Sequence, residues 1–443
     1  MSSIVRSARP LMVALLLAIS GTLLLAQSTT DGAIGGTVYD VRGAVVANAT
    51  VTVHNNGTNA EKTITTDGSG YYRVTNLPSG TYTVTINQQG FASYKANQVI
   101  VQVGSVTDIS PRLEVGATTE TVNVTAEAPQ INTTSADFAP SLNSTAISNL
   151  PINGGRWSSF ALLTPGVVSD SNGFGLLSFR GISTLLNNNT VDGADNNQAF
   201  FSEERGRTRA GYSTPKAAIE EFQVNTSNYS SEYGRSAGGV INTVTKSGTN
   251  TIHGEGYFYD RDNVWGAANA FTTVNVPNGV GGFTSQNFKP TDWRKIAGGA
   301  IGGPIVKDKL FFFVTYDWYR HNFPGIAAVA NPNVFFATNP NDPNPTIAST
   351  VTANVNALAK NLGLSSADAL ALYKADLTDF SSNLGQVPRT GDQNILLPKI
   401  DWNINSKNHA SFEVNRMRWS SPAGIQTQAS VQRGLSDFGN DFV

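Results

Sequence analysis

Apolar and polar residues alternate with period 2 from Gly32 to about Val115: Ala49, Val51 and Val53, then Tyr82, Val84 and Ile86, then Val99, Val101 and Val103. Successive side chains of a strand point to opposite faces, so each run predicts a strand with one buried face. Between the runs stand Asp40 to Gly43, Asn55-Asn56-Gly57, Asp67-Gly68-Ser69-Gly70 and Leu77-Pro78-Ser79-Gly80. Gly and Asn there accept the positive φ of tight turns. About seven short strands in roughly 85 residues predict a β-sandwich over 32–115.

The alternation returns after Gly248. Ile252 to Asp260, Trp293 to Gly303 and Leu310 to Tyr319 carry Tyr and Trp near their ends, a pattern that suits strands in a bilayer. Gly303 to Lys309 predicts a tight polar turn, and Pro398 to Asn405 with His409 to Met417 predicts a hairpin across Ser406-Lys407-Asn408. The stretch from Phe323 to Pro388 is rich in Pro and Asn, with one helix expected around Val355 to Lys374. Long loops of such barrels lie outside, which makes it a candidate ligand-facing loop.

Met1 to Ala26 reads as a signal peptide: Arg6 and Arg9 form the positive start, Leu11 to Leu25 the apolar run, and Ala26-Gln27 the cleavage point. Ser20, Gly21 and Thr22 interrupt the run, and it is shorter than the ~20 residues a spanning helix needs. No later segment has 18 consecutive apolar residues, so any membrane crossing must use strands.

Composition narrows the classes. Charged residues are only 14% of the chain, against about 25% in ordinary globular domains; 42 Gly, 13 Tyr and 22 Phe favour β-structure over helix. The net charge is −2, with no basic block to neutralise a phosphate backbone, which argues against nucleic acid as a partner. With no Cys, thiol chemistry and cysteine zinc sites are excluded. No cofactor is expected.

Two resemblances organise the chain. Gly35 to Asp40, Thr66 to Tyr72 and Leu77 to Tyr82 resemble the carboxypeptidase regulatory-like domain. The resemblance implies a prealbumin-like sandwich related to starch-binding folds. None of the four histidines, His54, His253, His321 and His409, is followed by Glu at the spacing of metallopeptidases, so the module is accessory and not catalytic. Carbohydrate binding through stacking on Tyr71, Tyr72 and Tyr82 is one expectation; sandwich-core rings are the alternative.

Further on, Asn149-Leu150-Pro151-Ile152-Asn153-Gly154-Gly155-Arg156, Leu163 to Val167, Arg180-Gly181-Ile182, Asn189 to Asn196, Ala218 to Val224 and Tyr229 to Lys246 follow in order. These blocks are similar to the plug of TonB-dependent outer-membrane receptors, in the Oar-like branch. So are Gly302-Gly303-Pro304, Lys307 to Phe313 and Lys399 to Trp402. The resemblance implies a mostly β protein: a sandwich, a mixed α+β plug at 129–247, and at 248–443 the first strands of an outer-membrane β-barrel. Such transporters close about 22 strands, and the residues after Gly248 supply roughly six to eight, so an incomplete barrel is expected.

The segment 119–128 resembles the TonB box that precedes the plug. A partner would add to it as a strand, for which Thr121, Val122, Asn123, Val124 and Thr125 offer β-branched residues. The plain alternative is a last sandwich strand or a linker. The resemblance implies TonB, outer-membrane lipid, and an oligosaccharide or siderophore as partners, in energised uptake. A structural or adhesive surface protein is the competing reading.

Within the plug, Gly238-Gly239-Val240-Ile241 predicts a close backbone approach followed by a strand, and Glu220, Glu221, Glu232 and Arg235 are candidates for ion pairs with the barrel wall. Gly234-Arg235-Ser236-Ala237-Gly238 fits a hydrolase nucleophile elbow, but a β-branched run follows where a helix is required. Asp192, Asp195, Asn196 and Asn197 lack the glycine and terminal glutamate of an EF-hand loop, so a capped turn is expected there.

Overall fold

The computed structural model describes residues 30–116, 121–125, 141–421 and 438–442, apart from 151, 153–154, 170–175, 199–203, 206–210, 230, 278–282, 324–325, 387–388 and 407. The expected signal peptide, 1–26, lies outside the described residues. Two compact units form: one holds the sandwich and 121–125, the other holds 137–229 and 235–443.

The first unit contains β1 (Asp31–Thr37), β2 (Tyr39–Asp40), β3 (Thr50–Asn55), β4 (Glu61–Thr65), β5 (Tyr71–Pro78), β6 (Gly80–Asn87), β7 (Ser93–Val101), β8 (Val106–Asp108), β9 (Arg112–Leu113) and β10 (Thr121–Thr125). One sheet runs β5-β1-β8, the other β10-β7-β6-β3-β4, and β2 pairs with β9. Ala49, Val51 and Val53, with Tyr82, Val84 and Ile86 and with Val99, Val101 and Val103, are all buried, so the three alternating runs supply one interior. Gly36 is required there: a Cβ would lie 2.2 Å from the Ile109 carbonyl oxygen.

In the second unit the plug comprises β11 (Ser141–Asn143), α1 (Ser144–Asn149), β12 (Val167–Ser169), β13 (Leu177–Phe179), β14 (Asn188–Val191), β15 (Ala194–Asp195), β16 (Ile219–Asn225) and β17 (Val240–Thr245). Its sheet runs β11-β16-β17-β14-β15, with β14 parallel to β17. Asp192-Gly193, both at positive φ, close the two-residue turn between Val191 and Ala194, as Asp-Gly pairs do in hairpins. The close approach expected at Gly238-Gly239 is present: a Cβ on Gly239 would sit 2.2 Å from the Phe179 ring.

The remaining strands form a meander. It comprises β18 (His253–Asp262), the hairpin β19 (Thr273–Pro277) and β20 (Phe283–Asn287), β21 (Trp293–Val306), β22 (Leu310–Phe323), β23 (Ile326–Ala327), β24 (Gly385–Gln386), β25 (Arg389–Asn405), β26 (Asn408–Glu413), β27 (Arg416–Ser421) and β28 (Phe438–Phe442). The main sheet is β18-β21-β22-β25-β27-β28, with β26 beside the lower half of β25. On β22, Phe311, Phe313, Thr315, Asp317, Tyr319 and His321 are buried while the residues between them are exposed or half-buried. On β25, Leu396 and Trp402 are exposed where Gln393, Lys399 and Asp401 are buried. One face of each strand is thus outward and the other buried, and the buried face mixes polar residues with the apolar Phe311, Phe313, Ile395 and Leu397.

The single helix expected around Val355 to Lys374 is two: α2 (Pro345–Leu362) and α3 (Ser366–Ser382). Gly363, at φ 64°, ends the first in the left-handed conformation, and Ser365 caps the second by accepting from the Asp368 amide at 3.1 Å. The Gly-x-Ser-x-x-Asp signal lay in the middle of an Ala/Leu-rich stretch that reads as continuous helix.

Candidate functional site

The plug meets the inward face of the strand sheet along two polar groups set in an apolar surround. Asp192, aimed by its hairpin turn, accepts from the Thr245 amide at 2.8 Å and hydrogen-bonds the Thr245 hydroxyl. Lys399, inward on β25, brings Nζ to 3.1 Å from Asp192 Oδ2 and 2.9 Å from Thr245 Oγ1. Glu413 on β26 completes the group, its Oε2 2.9 Å from Thr245 Oγ1. Burial alone would raise the Asp192 carboxyl, but the Lys399 ammonium and hydrogen bonds from Glu413 and Thr245 hold it below the ordinary aspartate value.

The second group joins the 211–214 loop to the wall. Tyr212 donates to Asp317 Oδ2 at 2.6 Å, and Tyr257 of β18 donates to the other oxygen. Gln393 accepts from the Gly211 amide at 2.8 Å and donates to the Tyr212 carbonyl; Asn415 donates to the Ser213 carbonyl at 3.0 Å. Burial, reinforced by the nearby Asp317 charge, pushes the Tyr212 phenol far up, so it stays protonated and donates. From behind, fully buried Glu204 fixes the loop, accepting from Ser158 at 2.6 Å and from the Ser213 amide and hydroxyl at 2.8 Å.

Around these groups plug and wall share one apolar cluster. Trp157, Phe160, Phe179 and Phe222 of the plug pack with Ile296, Tyr319, Ile395, Met417 and Trp419 of the strands. The expectation of a wall contact made of exchangeable ion pairs is therefore corrected in two ways. Arg235 pairs with Asp195 and Glu221 accepts from Ser141, both inside the plug; burial raises Glu220 against the pull of Lys246. Two ion pairs run from plug to wall, Asp192–Lys399 and Lys246–Glu255 at 3.0 Å, and an apolar seam lies beside them.

Lys399, Asp317, Gln393, Glu413, Tyr212 and Glu204 were not singled out from sequence. A signal existed for two: a charged residue at an inward position of an apolar strand, as Asp317 in LFFFVTYDWY and Lys399 in ILLPKIDW.

The sandwich rings divide. Tyr72 and Tyr82 are each 2% exposed, their hydroxyls donating at 2.8 Å to the carbonyls of Ile109 and Pro78. They are core residues and offer no ring face to a sugar, which corrects the stacking expectation for both; Tyr71, 43% exposed, keeps an open side. Tyr72→Phe should cost about 1 kcal/mol by stranding a buried acceptor, and Tyr71→Phe almost nothing. Thermal unfolding of the full chain in detergent micelles reads both.

The segment Thr121–Thr125 is strand β10, parallel to β7. At Ser236 a strand follows after a short loop, and its hydroxyl donates to the Gly239 carbonyl at 2.9 Å, so the nucleophile-elbow geometry is absent. Asp195 accepts from the Asn197 amide at 2.8 Å as a capped turn, and no metal-holding group of His, Asp or Glu occurs among the described residues.

Residues 244–442 match the outer membrane beta barrel domain, and 33–114 match the carboxypeptidase regulatory-like domain. The chain is 28% identical over 322 residues to the TonB-dependent transporter Oar of Myxococcus xanthus, covering 68% of this chain and 28% of that protein. Among solved structures it is similar to the outer membrane transporter YddB of Escherichia coli (14% identity, TM-score 0.41, 64% of this chain and 33% of that one). It is also similar to the siderophore receptor PirA of Acinetobacter baumannii (15%, TM-score 0.36, 64% and 32%). The chain thus spans less than a third of the curated relative's length.

Proposed function

We propose that this chain, a TonB-dependent receptor of the Oar-like kind by its resemblances, serves energised uptake of a ligand across the outer membrane. Its architecture is mostly β, with a carboxypeptidase regulatory-like sandwich, a plug and barrel strands, and it is an outer-membrane protein. The observation that carries the uptake reading is the seating of the plug. A folded unit with its own five-stranded sheet is held on the inward face of the strands by polar contacts around Lys399 and Asp317 and by a shared apolar seam.

In this reading, ligand of the oligosaccharide or siderophore class binds at the outer loops, which include α2 and α3. TonB engages Thr121–Thr125, and work done from the inner membrane unseats the plug. Release then requires the buried polar contacts to break and the apolar seam to part, work that an external pull can supply without covalent chemistry.

The test is binding of the periplasmic domain of TonB to the full chain in detergent micelles. Val122→Pro and Val124→Pro each remove a main-chain donor on which strand addition depends. Affinity should fall by about tenfold or more, roughly 1.4 kcal/mol. Absent binding by the native chain, or binding indifferent to proline, would favour the adhesive surface protein.

A further inference from the structure

At the contact of Asp192 with Lys399, one hydroxyl has more partners than it has hydrogens. Thr245, buried at the end of β17, stands between three ionisable side chains. Lys399 donates to Thr245 Oγ1 at 2.9 Å, and the Thr245 hydroxyl is also hydrogen-bonded to Asp192 Oδ2. Glu413 Oε2 lies 2.9 Å from the same hydroxyl oxygen. A threonine hydroxyl has one hydrogen to give and two lone pairs to receive with. The Lys399 ammonium fills one lone pair, and the single hydrogen can go to only one carboxyl. The other carboxyl must bring a hydrogen of its own to the second lone pair. Lys399 pairs with Asp192 at 3.1 Å and keeps the negative charge there, which leaves the hydrogen on Glu413.

Charge leads to the same count. Lys399 is buried and faces Asp192, Asp401 and Glu413 together. Asp401 has His409 at 3.6 Å. The next cation, Lys246, is taken by Glu255 at 3.0 Å and has Glu220 beside it as well. One ammonium cannot neutralise the carboxyls around it, and an uncompensated buried carboxylate is costly.

We propose that the seated plug holds one proton between Asp192 and Glu413, so that unseating the plug releases a proton and reseating takes one up. The proposal rests on the plug–wall contact and needs neither a particular ligand nor TonB. Drawing the plug away removes Thr245 and Asp192 from Glu413 and admits water, in which a glutamate is ionised at neutral pH. The proton then passes to water. Because it is bound only when the plug is seated, seating weakens as pH rises through the neutral range, by up to about tenfold in the seating equilibrium per pH unit. Asp192, held ionised by Lys399, contributes the opposite slope only at acid pH, as pH falls through its depressed value. The plug is gripped hardest between the two windows, and an alkaline shift loosens it while the apolar seam stays as it is.

Infrared spectroscopy of the full chain in detergent micelles reads the proton directly, since a protonated carboxyl has a carbonyl stretch that a carboxylate lacks. At neutral pH the wild type should show that band. Glu413→Gln keeps a donor for Thr245 and cannot ionise, so it should lack one carboxyl's share of the band. Asp192→Asn should lose the same share by a different route: with a neutral amide at 192, Lys399 is free to pair with an ionised Glu413. Seating is followed by protease cleavage of 141–245 from mildly acidic to mildly alkaline pH, corrected for the protease's own profile on an unfolded peptide. The wild type should be cut faster as pH rises, and Glu413→Gln should lose that slope while staying slowly cut. A band unchanged in either variant that folds would overturn the proposal. So would a wild-type cleavage rate that is flat or falls as pH rises, or a Glu413→Gln that keeps the wild-type pH dependence.

Discussion

Trp157→Ala is expected to destabilise the plug by about 4 kcal/mol, within the range for deleting a large buried aromatic. Trp157 is fully buried, stacks edge-on against Phe222 at a centroid distance of 5.6 Å, and belongs to the cluster that plug and wall share. Its removal leaves a void within the closely packed cluster against Phe222, which the surrounding side chains cannot fill without rearranging. The loss should appear as a lower unfolding midpoint in detergent and as faster proteolysis of 141–245 relative to the strands. Trp157→Phe should cost less than half as much, because it retains an aromatic ring in the site. Equal losses for the two variants would mean that the site fails for a reason other than volume.

Lys399→Met should cost about 3 kcal/mol, because it leaves Asp192 facing the wall without its cation while Glu413 stays alongside. Adding Asp192→Asn should recover part of the loss. The coupling between the two sites should be about 1–3 kcal/mol in a double-mutant cycle, as for residues in direct contact. Additive losses would show that the pair does not hold the plug. The pH dependence has a definite sign. Asp192 is depressed in the folded state, so its contribution is fully present above the ordinary aspartate value and is lost as pH falls through the folded one. Stability of the wild type should therefore drop on acidification in that window, and Asp192→Asn should flatten the drop.

Much of the architecture was legible because period-2 alternation is a local consequence of strand geometry. The runs at Val51, Val84 and Val101 became one core, and the run around Thr315 became an inward face, since one alternating strand can bury only one side. The Asp192-Gly193 turn and the close approach at Gly239 were legible for the same reason: backbone demands of that kind leave glycine and aspartate at fixed places. The break at Gly363 was missed although its signal was present, because helix propensity over the stretch outweighed one capping residue.

The site itself was less legible. Charged plug residues near Arg235 drew attention because they cluster in sequence, yet Arg235 finds its partner 40 residues away at Asp195, within the plug. Asp192 and Lys399, 207 residues apart, make one ionic contact with the wall, and Lys246 with Glu255 makes another. Alternation says that Lys399 and Asp317 face inward. Which plug residue each one meets depends on strand register and on how the plug sheet seats, and neither is encoded in a local run of residues.

The sequence by itself determined the order of parts, the strand character of each, the tight turns and the inward and outward faces, all of which follow from interactions between residues a few positions apart. Only the tertiary structure decided that Tyr72 and Tyr82 are core rings, that Thr121–Thr125 completes a sandwich sheet, and that an apolar seam lies beside two ion pairs between plug and wall. Those outcomes turn on contacts between distant segments, whose pairing is fixed by packing and burial of the whole unit.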